Sequence, residues 1–162
     1  MRLIIVFLST LLTAPCFSDV SGPPTREVHA LIVLEAKRVS IDPSLALAVA
    51  HVESNFSVRA VSIAGARGIM QVMPSTGWGE FGIYPHELWD PRINIRVGLC
   101  FLKQLIDDYR GDIPVALSYY NGGSAVGEWP NAKVLPYTKA YVDKVLKIRD
   151  AYQTELRKKG VI

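Results

Sequence analysis

Residues 43–56 read PSLALAVAHVESNF, a nearly unbroken apolar run that ends on a single acid, Glu53. Asp42 before it is an N-cap residue, and Pro43 suits the first helical position. The spacing predicts a helix through Leu45, Val49 and Val52 to Glu53. The ordinary reading of such a glutamate is a helix end in water or in an ion pair, and on spacing alone that is the commoner case. A second reading has a physical basis. Apolar neighbours desolvate the carboxylate, and the negative end of the helix dipole disfavours the anion again. Both raise the pKa, so a proton can be held near neutral pH and given to a leaving oxygen. Ser54 and Asn55 stand where they could orient that carboxyl.

Working outward, apolar residues recur at helical spacing almost throughout. Val28, Leu31, Ile32, Glu35 and Val39 mark one face, with Glu35 expected at its edge. The glycine-rich segment 63–82 has helical potential around RGIMQ (67–71) and a stop at Pro74. ELWDPRINI (87–95) reads as a loop feeding a longer helix with Ile93, Val97, Phe101, Leu105 and Tyr109 on one side. Asp112 and Pro114 open IPVALSYY (113–120), closed by NGGS. A last helix starts near Pro136 and carries Tyr141, Val145, Ile148 and Tyr152. Strand-like alternation is nearly absent and no repeat is visible. The fold class expected is mostly α, one domain over residues 27–157, with a cleft at the glycine-rich loops.

The first residues, MRLIIVFLSTLLTAPCFS (1–18), have the charge, apolar run and small-residue end of a secretory signal peptide, and SGPPT begins a linker over 19–26. Removing the leader leaves about 140 residues, enough to bury roughly two-thirds of the unfolded surface. Lipid attachment at Cys16 ranks low because proline precedes the cysteine. Cys100, inside VGLCFLKQLI, is expected as a buried small hydrophobe. Removing the leader's Arg2 takes the formal net charge from +3 to +2, an excess too small to point to nucleic acid that fits an anionic polymer such as a cell wall. HVE (51–53) matches half of a zinc-deaminase signature but lacks its cysteine pair, and there is no HExxH. No metal and no cofactor are expected. His51, two positions from Glu53 on a helix, is expected to point away from it.

Two further segments can line a cleft. GIMQ (68–71) offers Gly68 for close backbone approach and Gln71 for hydrogen bonds, while Met70 and Met73 suit either sugar rings or core filling. YYNGG (119–123) offers an aromatic face and an amide. Taken in order, ALAVAHVESNF, SIAGARGIMQVMPST, LWDPRINIRVGLCFLKQLI, ALSYYNGG and YTKAYVDKVL span about 45–146. Together they resemble the soluble, lysozyme-like family of lytic transglycosylases, which cleave peptidoglycan. The resemblance implies a lysozyme-like helical domain with a substrate cleft. It assigns Glu53 as the single catalytic acid and base, and Ser54, Gly68, Met70, Gln71, Tyr120, Asn121 and Tyr141 to substrate binding. Departures from the pattern are Ile69 for leucine, Tyr119 for alanine, Phe101 for a tyrosine in some relatives, and a missing acid before Tyr141.

What the resemblance implies chemically is cleavage of the bond between N-acetylmuramic acid and N-acetylglucosamine with closure of a 1,6-anhydro ring. Two-carboxylate glycosidases need a second acid, and Glu80, Glu87 and Asp90 are the candidates without a pattern to choose among them. The alternatives are a hydrolytic muramidase and a non-catalytic peptidoglycan-binding protein. A third is an accessory recruited by a secretion, conjugation or pilus apparatus. The expected partner is the peptidoglycan glycan strand, the expected state a monomer, and the expected location the periplasm, or else the exterior.

Overall fold

The apolar run of residues 43–56 folds as a helix buried on nearly every side. In the computed structural model, which describes residues 25–162, it forms α2, Pro43–Ser54. The leader, Cys16 and residues 19–24 of the linker lie outside the described residues, and the linker's last two residues are already helical. Asp42 caps α2 by accepting the Ser44 amide at 2.9 Å and the Ser44 hydroxyl at 2.6 Å. Every residue from Pro43 to Ala50 is buried, as an all-round apolar helix requires.

Around α2 pack α1 (Thr25–Arg38) and α6 (Lys139–Lys158), while α4 (Pro91–Asp108) joins α1 to α5 (Ile113–Gly122). A short α3 (Pro74–Phe81) stands between the glycine-rich segment and α4. The main core cluster includes Ile32, Leu45, Leu47, Ile69, Met70 and Leu99, and a smaller one gathers Leu105, Tyr109, Val115 and Ala116. Single-turn 3₁₀ helices at Glu87–Trp89, Gly123–Val126 and Pro136–Thr138 fill the connections. The described residues form no extended strand, only isolated bridges that pair Arg67 with Val61 and with Val72. No described helix is long and apolar enough to cross a membrane.

Four expectations are corrected. Pro74 does not stop a helix; it opens α3, because its fixed φ and missing N–H suit a first turn. RGIMQ is a tight turn and not helical, with Gly68 at φ 71° and Gln71 at φ 48°. Cys100 is partly exposed, at the border of the buried face one turn from Arg96. Glu35 is not at the edge of α1 but buried, with 1% of its surface exposed.

That burial is tolerated because Glu35 is paired. Its carboxylate accepts from Arg96 of α4 at 3.0 and 3.3 Å and from Arg38 one turn away at 3.0 Å. The Arg96 hydrogen bond is the main reason its pKa lies below the ordinary 4.5. A carboxylate with a depressed folded pKa stabilises the fold above its unfolded pKa, and that gain is lost as pH falls through the folded value. Arg96→Met is therefore expected to lower the urea midpoint at pH 7, with the gap to the native protein closing below pH 4. A gap that persists in acid would show the pair to be incidental.

Candidate active site

Glu53 sits in the last turn of α2, and the chain leaves the helix immediately after it. Asn55 and Phe56 both take left-handed backbone, φ 50° and 66°. Such a conformation is a true outlier for a bulky residue and is held by packing. The Phe56 ring lies 4.2 Å from His29 and 5.4 Å from His51, centroid to centroid. His51 points away from the acid, as its offset requires, and meets the Tyr152 hydroxyl at 3.0 Å. Neither Ser54 nor Asn55 orients Glu53. The orienting group is Tyr141 of α6, whose hydroxyl donates to Glu53 Oε1 at 2.6 Å.

Opposite the acid lies the turn of residues 68–71, held by side chains from three helices. The Met70 amide donates to Asn94 Oδ1 at 2.8 Å, and the Met70 carbonyl accepts from the Tyr120 hydroxyl at 2.8 Å. Ser54 Oγ donates to the Ile69 carbonyl at 2.8 Å. Gln71 Nε2 closes the turn on the carbonyls of Gly68, at 2.9 Å, and Ala60, at 3.2 Å. Asn94 also donates to the carbonyls of Arg67 and Leu88 at 2.8 and 3.0 Å. Space is as tight as the bonding. A Cβ on Gly68 would meet Asn94 at 2.5 Å, and one on Gly98 would meet the Met70 Cβ at 2.4 Å.

Of the residues assigned to substrate binding, Tyr141 holds the acid, and the other six divide into two groups. Gln71, Tyr120 and Asn121 line one cavity of about 220 Å³ with Glu53. Ser54, Gly68 and the fully buried Met70 stand behind its wall and shape it. Met73, Tyr120 and Asn121 continue into a second cavity of about 340 Å³ that Glu80, Phe101 and Tyr119 also line. Of the other candidate acids, Glu87 accepts the Tyr84 amide at 2.8 Å and Asp90 caps α4. Among the described residues, no carboxylate besides Glu53 lines the first cavity. Asn94 and Gly98 were missed as supporting residues. The available signal was a lone Asn and a lone Gly on an otherwise apolar helical face.

The electrostatics follow from this arrangement. Burial raises the Glu53 pKa from 4.5 to about 7, against the opposing pull of the Tyr141 hydrogen bond. Burial, with Glu53 alongside, keeps the Tyr141 and Tyr120 phenols protonated well beyond their ordinary range, so both remain donors. The result is an acid that is half-ionised near neutral pH, one oxygen of which is held by a permanent donor.

A family model described as "Transglycosylase SLT domain" matches residues 30–139. The chain belongs to this family. It is 38% identical over 108 residues to the transglycosylase of Enterobacteria phage PRD1, covering 67% of this chain and 37% of that one. It is 35% identical over 130 residues to membrane-bound lytic murein transglycosylase C of Glaesserella parasuis, covering 71% of this chain and 36% of the relative. The crystal structure of an inactive glutamate-to-glutamine variant of the lytic transglycosylase Slt from Pseudomonas aeruginosa superposes with a TM-score of 0.69 at 29% identity. It covers 79% of this chain and 24% of that one. The mostly α, lysozyme-like fold expected from the sequence is the fold found. The chain spans little more than a third of the length of these curated relatives.

Two outcomes are expected from this geometry. Asn94→Ala should cost roughly 2–4 kcal/mol in denaturant unfolding, because it strands a buried amide and two carbonyls; a loss below 1 kcal/mol would mean that the turn holds itself. Glu53→Gln should be the more stable protein at pH 8, by about 3 kcal/mol. The folded pKa lies above the unfolded one, so the native protein loses stability as pH rises from about 4.5 to 7. The two stability curves are expected to meet in acid.

Proposed function

We propose that this domain is a lytic transglycosylase that cleaves peptidoglycan strands between N-acetylmuramic acid and N-acetylglucosamine, without consuming water. The observation that carries the reading is a single, largely buried carboxyl with a pKa near 7, alone in its cavity among the described residues. The family match and the murein transglycosylases among the relatives support the substrate class. The inactive Slt variant shows that a glutamate is needed for activity in that relative, in keeping with a glutamate as the acid here. Such a substrate places the working protein at the cell wall, and export to the periplasm goes with it.

The steps follow from the site. Protonated Glu53 gives its proton to the oxygen between the two sugars, and the bond from the muramic C1 to that oxygen breaks. The electron pair leaves with the oxygen, which becomes the C4 hydroxyl of the departing glucosamine. The muramic acid's own acetamido oxygen steadies the positive charge left on C1, as in substrate-assisted glycosidases. Glu53, now ionised, is stabilised by the Tyr141 hydroxyl. It then takes the proton from the C6 hydroxyl of the same sugar, and O6 bonds to C1. The products are a free C4 hydroxyl and a 1,6-anhydro ring, and Glu53 is protonated again. An inverting hydrolase would need a second group to activate water on the opposite face, and among the described residues no other carboxylate lines this cavity. A substrate-assisted hydrolase would use the same acid, with water in place of the C6 hydroxyl.

Digestion of purified peptidoglycan in ¹⁸O-water, read by mass spectrometry, tests this directly. Muropeptides lighter by one water and free of label are expected, and none from Glu53→Gln. Reducing ends carrying one ¹⁸O would make the protein a muramidase with the same acid. Tyr141→Phe should lower turnover and move the alkaline limb of kcat/KM to higher pH, because the lost hydrogen bond had favoured the anion. An unmoved limb would detach Tyr141 from the acid's titration.

A further inference from the structure

We propose that Glu80 makes the far half of the cleft a recognition site for a primary ammonium group on the substrate, an inference that rests on the transglycosylase reading. The second cavity shares Met73, Tyr120 and Asn121 with the first, so it lies beside the place where a strand would sit at Glu53. No lysine or arginine lines it. Its charge is the Glu80 carboxylate, projecting from α3.

Most other acids among the described residues are committed. Asp42, Asp90 and Asp112 cap helices, Glu87 binds a backbone amide, and Asp107, Asp143, Asp150 and Glu155 pair with neighbouring cations. Glu80 has no such partner among the described residues, and it is exposed to whatever enters the cleft. Lining the same cavity are the rings of Phe101 and Tyr119, which pack edge to face with centroids 6.4 Å apart. A carboxylate combined with aromatic walls is the chemistry that holds an ammonium, by an ion pair on one side and cation–π attraction on the other. A neutral sugar would use the rings and leave the charge unanswered. Tyr119 supplies one of those walls, at a position where the family resemblance leads one to expect alanine.

A primary ammonium can reach this place from two sources: a free side-chain amine on the stem peptide, or a glucosamine that has lost its acetyl group. Three substrates separate them. The first is strands whose stems carry free amines, the second the same strands after amine acetylation, and the third stem-free strands with some glucosamines deacetylated, compared with their re-acetylated form. The readout is kcat/KM for anhydro-product release by the native protein and by Glu80→Gln. The native protein is expected to prefer the free-amine member of one pair by about two- to fivefold, the range of an exposed ion pair. The preference should appear mainly in KM, shrink in high salt and vanish in Glu80→Gln. The pair that shows it identifies the source. A native protein without preference in either pair, or a preference that survives in Glu80→Gln, overturns the assignment while leaving the transglycosylase reading intact. No anhydro product from any substrate overturns both.

Discussion

The peptide groups of residues 68–71 lie in the protein interior without a helix or sheet to pair them, and an unpaired buried amide or carbonyl is costly. Backbone carbonyls of Ala60 and Gly68 take the Gly68 and Gln71 amides, and side chains meet the rest of the constraint. Asn94 takes the Met70 amide, Tyr120 gives to the Met70 carbonyl and Ser54 gives to the Ile69 carbonyl. These three come from α4, α5 and α2, so the turn can form only where those helices meet. Gly98 is part of the same constraint, since α4 passes too near Met70 for any side chain there. The turn in turn forms the wall that faces Glu53. Rigidity at the wall of the proposed site is thus bought with polar groups inside the core.

Glu53 draws its chemistry from that wall and from the end of its own helix. The apolar face of α2 delivers the carboxyl to a place with little water, and two left-handed residues then turn the chain away. Desolvation alone would leave the group a poor acid, reluctant to give up its proton. Tyr141, 88 residues further on, offsets part of that by donating to one oxygen and leaving the other for proton transfer. The balance is a carboxyl with a pKa near 7 that can serve in both directions within one turnover. The same desolvation makes the ionised native protein less stable than it could be, a common trade at active sites.

Much of this was legible in the sequence. The apolar run to Glu53, with Asp42 and Pro43 before it, announced a buried helix ending on an acid, and helical spacing elsewhere gave the mostly α class. Other features were not local enough to read. Pro74 opens a helix as readily as it stops one, and RGIMQ carries no period to read, its shape being fixed by Asn94, more than twenty residues further along the chain. Glu35 looked peripheral because its partner Arg96 lies on another helix, and an isolated charge on an apolar face gives no sign of that pairing. Ser54 stood beside the acid in sequence, yet its hydroxyl went to Ile69. The group that does hold the acid, Tyr141, was marked by the family pattern and by no local signal for its partner.

The central claim is that one desolvated carboxyl, pinned by Tyr141, is poised to give and take a proton near neutral pH. The most direct test is a ¹³C NMR titration of the Glu53 side-chain carboxyl in the folded protein, assigned by its absence in Glu53→Gln. A midpoint near 7 is expected, rising further in Tyr141→Phe. A midpoint near 4.5, as for a carboxyl in water, would contradict the claim and leave Glu53 an ordinary anion at the cleft.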